Sequence, residues 1–197
     1  MDRAAMAHRQ GDSAAAENEL ESALAIAKGF KENDARLAET LMGLAALAFD
    51  RDAYAQAQPL LERALTIYEK TAGPGDGRLA SALNALALVH LRQGDSAGAE
   101  PLFRRSLAIL DRIAGRDDPR LARVLEKLAG LYFTDGRYAE AEPLYRRALE
   151  VAELVYGTKH SELARLLEQY AAMLRLMGRD AEADDADARA RAIRNGG

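Results

Sequence analysis

Three histidines, one glycine-rich run and one cluster of aspartates are the places where this 197-residue chain could hold chemistry. A zinc site needs ligands at a short, fixed spacing on neighbouring elements. His8, His90 and His160 lie far apart and share no such spacing. Asp184-Asp185-x-Asp187 gathers carboxylates, but a calcium loop also needs a turn glycine and a distal glutamate, and neither follows. The cluster reads instead as the solvated start of a helix. Gly73-Pro74-Gly75-Asp76-Gly77 is not followed by the lysine and hydroxyl residue of a phosphate loop, so it reads as a turn. No serine stands in a nucleophile-elbow setting. Cysteine is absent, which removes disulfides and thiolate metal sites. The expectation is a protein that is not an enzyme and uses no cofactor and no metal.

Bulk composition narrows the class further. Apolar residues make up 49% of the chain and charged residues 29%, enough to build a core. The net charge of −4 has the wrong sign for a nucleic-acid binder held by phosphate contacts. No apolar run reaches the about 18 residues of a membrane span, and MDRAAMAHRQGD has no apolar stretch of signal-peptide length. A cytoplasmic location is expected, and the chain could equally be cut from a longer one.

What must position any functional surface is a repeat. Leu37-Ala38, Leu79-Ala80, Leu121-Ala122 and Leu163-Ala164 each open a block 42 residues after the last. A period of that size marks stacked supersecondary units. In the third block Leu121, Leu125, Leu128, Ala129 and Tyr132 fall on one helical face. Thr134-Asp135-Gly136-Arg137 interrupts the pattern, with Gly136 suited to a positive φ after a helix. Ala141, Leu144, Tyr145, Ala148 and Leu149 then resume it, up to Gly157. Each block is therefore a helical hairpin. Pro59, Pro101 and Pro143 fall near the start of the second helices, where a slight bend is expected. Alanines recur at 45, 87, 129 and 171 and at 57, 99, 141 and 183, as close helix packing requires. Leu44, Leu86, Leu128 and Tyr170 are expected to fill the space beside them. His90 takes the aromatic slot of Tyr132, which predicts a packing role.

The residues Leu125-x-x-Leu128-Ala129-x-x-Tyr132, Gly136-x-Tyr138-x-x-Ala141 and Leu144-Tyr145-x-x-Ala148-Leu149 resemble the tetratricopeptide repeat, in its long 42-residue form known from kinesin light chains. The block from Leu79 matches well; the block from Leu37 has Asp52 where glycine is expected. The resemblance implies an all-α, right-handed superhelical solenoid of about five antiparallel hairpins. They would cover approximately residues 1–36, 37–78, 79–120, 121–162 and 163–195 as one domain. The first helix is clipped, with about eight residues before Gln10-Gly11, and the last helix is polar, with Ala186 and Arg191 in place of leucines, as a solenoid cap would be.

The resemblance also implies a concave groove lined by the first helices. Its sixth places are Met42, Asn84, Glu126 and Glu168; its tenth are Ala46, Leu88, Gly130 and Ala172. Its thirteenth are Phe49, Leu91, Phe133 and Arg175, with Arg92 at a fourteenth place and Arg123 and Arg165 at third places. Phe49, Leu91 and Phe133 form an apolar ladder, with His8 and Arg175 at its ends, that either floors the groove or packs between hairpins. The expected partner is a protein or peptide segment carrying apolar and acidic residues. The carboxylate clamp of some chaperone co-factors is disfavoured, because only Asn84 fits it and Glu126 and Glu168 would repel a terminal carboxylate. The alternative reading is a self-associating structural or regulatory module of a larger bacterial-type signalling protein, forming a homo-oligomer.

Overall fold

The computed structural model describes Asn18, Ser22, Ala25 and residues 34–196 except 74, 114 and 116. His8 and most of the first hairpin lie outside the described residues. Those described form eight helices: α1 (Ala35–Asp50), α2 (Tyr54–Thr71), α3 (Gly77–Arg92), α4 (Ser96–Ile113), α5 (Pro119–Thr134), α6 (Tyr138–Tyr156), α7 (Ser161–Leu176) and α8 (Asp180–Asn195). The chain divides into two compact units, Met1–Ile109 and Leu110–Gly197.

Three-residue turns join α1 to α2, α3 to α4, α5 to α6 and α7 to α8, too short for anything but antiparallel neighbours. Their mechanism is the same each time. Gly94, Gly136 and Gly178 take φ of 81°, 74° and 71°, and the next backbone N–H reaches back to the first helix. Arg137 N–H donates to the Tyr132 carbonyl at 2.8 Å, and Asp95 N–H to that of His90 at 2.9 Å. In the first described hairpin Asp52 does this work at φ 57°, the one positive φ of a non-glycine among the described residues. The Tyr54 hydroxyl donates to its carboxylate and holds it there.

The repeated alanines are buried in both helices of each hairpin: Ala45, Ala87, Ala129 and Ala171, then Ala57, Ala99, Ala141 and Ala183, are all 0–1% exposed. In the first unit Ala45, Ala48, Ala57, Leu61, Leu86 and Val89 form one apolar cluster. Leu86, Leu128 and Tyr170 are buried as expected, while Leu44 is only half-buried. Pro59, Pro101 and Pro143 sit inside α2, α4 and α6, past the first turn.

Two periodic polar devices accompany this core. The first is an Asp-x-Arg staple at the start of first helices. Asp34, Asp76 and Asp118 each accept from the backbone N–H two residues on, at 2.8–2.9 Å. The guanidinium of Arg36, Arg78 or Arg120 clasps the same carboxylate. The second is a ladder between second helices. Arg105 pairs with Glu69 at 2.6 Å in the first unit. In the second unit Arg147 pairs with Asp111, and Arg189 with Glu153. Each pair spans 36 residues and repeats every 42.

Candidate functional site

In the fourth block the staple changes chemistry. His160 replaces the aspartate as N-cap of α7, its Nδ1 accepting from the Glu162 N–H at 3.2 Å, and its ring stacks on Tyr156 with centroids 4.8 Å apart. Glu162 replaces the arginine and turns to Arg165, accepting from Nη2 at 2.6 Å. Arg165 also forms a two-point clamp on Glu126 across to α5, at 2.8 and 2.7 Å. Lys127 donates to the same Glu126 carboxylate at 3.1 Å.

Tyr156, Glu162, Arg165, Glu126 and Lys127 help wall a cavity of about 430 Å³ within the second unit, of a size that holds small ligands or side chains. Helix α5 supplies Ala122, Arg123, Glu126 and Lys127; α6 supplies Ala152 and Tyr156; α7 supplies Glu162, Arg165 and Leu166. Ala122, Ala152 and Leu166 are buried and make its apolar part, while Arg123 is exposed. Burial pushes the Glu126 carboxyl up, but hydrogen bonds and charge from Arg165 and Lys127 outweigh this and hold it below the ordinary carboxylate range. The buried Tyr145 hydroxyl is pushed up to about 12, by burial first and then by the Glu126 charge.

The expected groove residues divide into engaged and open ones. Glu126 is buried rather than lining a free surface, because Arg165 draws it into the clamp. Glu168 pairs with Arg194 of the same hairpin at 2.7 Å. Arg175 is held by Asp184 and Asp187, so that part of the aspartate cluster closes on an arginine rather than standing free in solvent. Arg92 lies over the Phe49 ring, 5.5 Å from its centroid, and Phe49 meets Tyr54 edge-on at 5.2 Å. Phe133 meets Tyr138 at 5.9 Å. Phe49, Leu91 and Phe133 are all half-buried, as are Met42, Leu88 and Gly130, whereas Ala46 and Ala172 are exposed. Asn84 is half-buried, and its Oδ1 is buried with no hydrogen-bond partner among the described residues.

His90 does more than pack: its Nδ1 lies 2.8 Å from Asp95, whose other oxygen caps α4 by accepting from the Gly98 N–H. No group of three or more metal-ligating side chains lies together among the described residues, and no described helix is long and apolar enough to cross a membrane. Lys127, Tyr156, Glu162 and Leu166 were not foreseen as site residues. The signal that marks them is the broken staple, His160-x-Glu162 against three copies of Asp-x-Arg.

Helical hairpins at a 42-residue period, with small residues at the helix contacts and a positive-φ turn in each, define a tetratricopeptide-type solenoid. The tetratricopeptide-repeat family model matches residues 1–70, 36–112, 78–141 and 120–196, and the chain belongs to that family. No curated protein matches it significantly. Among solved structures it is similar to BtubC (BKLC) from P. vanneervenii, with a TM-score of 0.87 at 23% identity over 98% of this chain and 77% of that one. A kinesin light chain-like protein of P. anserina with nearly identical TPR-like repeats gives 0.81 at 21%, covering 98% and 92%. YrrB, described as a TPR protein with an unusual peptide-binding site, gives 0.64 at 15%, covering 96% and 82%.

Proposed function

We infer that the protein is a non-catalytic interaction module whose first helices take an extended or helical segment of a partner protein. The observation that carries this reading is Asn84. Leaving a buried carbonyl oxygen unpaired costs about 1–3 kcal/mol, a penalty that a partner's N–H would relieve. Leu88 and Leu91, one and two turns on along α3, offer apolar contact beside it. A tetratricopeptide fold and a peptide-binding neighbour of the same fold support the reading.

The test is selection of peptides from a random display library on the purified protein, followed by binding to Asn84→Ala. The variant should melt no lower than the parent, because it removes an unsatisfied group, yet bind selected peptides about fivefold or more weakly. Equal binding by the variant, or a library that yields no binder, overturns the reading.

A further inference from the structure

We propose that the cavity in the second unit reads an acidic side chain of a partner polypeptide, and that Arg123 is the residue that reads it. This rests on the interaction-module reading above. Of the four arginines expected at groove places, three are already engaged. Arg92 covers the Phe49 ring, Arg165 is clamped by Glu126 and Glu162, and Arg175 is held by Asp184 and Asp187. Arg123 is exposed, lines the cavity, and has no acidic partner among the described residues.

Charge counting gives the ligand's sign and size. Three cations, Arg123, Lys127 and Arg165, wall the cavity against two carboxylates, Glu126 and Glu162. Both carboxylates accept from Arg165, and Glu126 also accepts from Lys127. The one uncompensated positive charge therefore resides on Arg123, in a chain whose net charge is −4. A single free guanidinium matches a carboxylate, which it can hold through two N–H groups. It leaves a phosphate group, at about −1.5 to −2, underbalanced beside two glutamates. The apolar wall of Ala122, Ala152 and Leu166 suits the methylenes of the acidic residue and a branched apolar neighbour. The preferred occupant is thus a glutamate or aspartate next to a leucine-like residue. This assignment separates Arg123 from Arg165, which sits in the equivalent place one block on but serves to position Glu126.

The experiment uses the full chain, isotope-labelled for NMR, and three fluorescein-labelled probes: a peptide of alternating Leu and Glu, its Leu and Gln counterpart, and a Leu and phosphoserine counterpart. The Glu probe should bind about tenfold tighter than the Gln probe, shifting the resonances of Arg123, Ala152 and Tyr156. Arg123→Gln should keep the parent's circular dichroism and melting temperature and lose that preference, whereas Arg92→Gln should retain it. Equal binding of the Glu and Gln probes, a preference that survives Arg123→Gln, or shifts confined to the first unit overturn the assignment. Tighter binding of the phosphoserine probe overturns the carboxylate as ligand. Absence of binding by any probe also overturns it. The module reading would still stand if library-selected peptides bound and lost affinity in Asn84→Ala.

Discussion

Replacing Arg165 with glutamine strips the clamp from Glu126 and should be the more damaging of the two single changes at that pair. The Glu126 side chain is 9% exposed and that of Arg165 is 40% exposed. Without Arg165, the buried carboxylate keeps only Lys127, and the desolvation it suffers is no longer offset. A loss of about 2–3 kcal/mol near neutral pH follows. Glu126→Gln instead leaves Arg165 half in solvent and still paired with Glu162 at 2.6 Å, so its cost should stay below about 1 kcal/mol. The pH dependence carries the sharper test. In the parent the Glu126 pKa is lowered, so the stability it confers is complete above the ordinary carboxylate range and is lost as pH falls through the folded-state pKa. In Arg165→Gln burial dominates and raises that pKa, so protonation at falling pH relieves the folded state rather than weakening it. The stability gap between parent and variant should therefore shrink from about pH 7 to about pH 4. Urea titrations followed by circular dichroism at three pH values in that interval measure it. A gap that does not change with pH, or Glu126→Gln costing as much as Arg165→Gln, refutes the reasoning.

Leu128 is 2% exposed, and Leu128→Ala should cost about 2–5 kcal/mol in denaturant titrations; an unchanged midpoint would misplace the core face. Asp118→Ala removes the α5 cap and should cost about 1 kcal/mol near neutral pH. The Arg120 hydrogen bond lowers the Asp118 pKa, so this difference should fade as pH drops through the lowered value, which paired melts at two pH values would show. At the positive-φ turn of the first described hairpin, Asp52→Gly should be more stable than Asp52→Ala by about 1 kcal/mol, measured by thermal melting; equal variants would deny the backbone cost.

Periodicity makes the helices, the turns and the alanine contacts legible in the sequence alone, because each block repeats the same geometric demand. Asp52 announced itself as an anomaly by standing where glycine belongs, and its φ of 57° is the physical counterpart. The staple was less legible: Asp34, Asp76 and Asp118 look like ordinary turn residues until the arginine two places on is seen to grip them. The groove was the least legible part. Place numbers put Arg123 and Arg165 on equal terms, but whether an arginine is open depends on which acids lie 39 residues back or three residues before it. That is a matter of partnership across helices, which a single block does not contain. His90 likewise sat in an aromatic slot, but the polar half of its ring found Asp95 in the following turn.

The ion pairs joining second helices set a grammar for the length of the chain. Glu69, Asp111 and Glu153 are translations of one another, and so are Arg105, Arg147 and Arg189. Excision of residues 121–162 would leave Asp111 at the same 36-residue separation from Arg189 that it now has from Arg147. An excision that is not a whole multiple of 42 residues would set a charge against the wrong neighbour as well as shift the helix faces. Blocks can thus be lost, gained or shuffled whole, each arriving with its own acid and its own base for the blocks on either side.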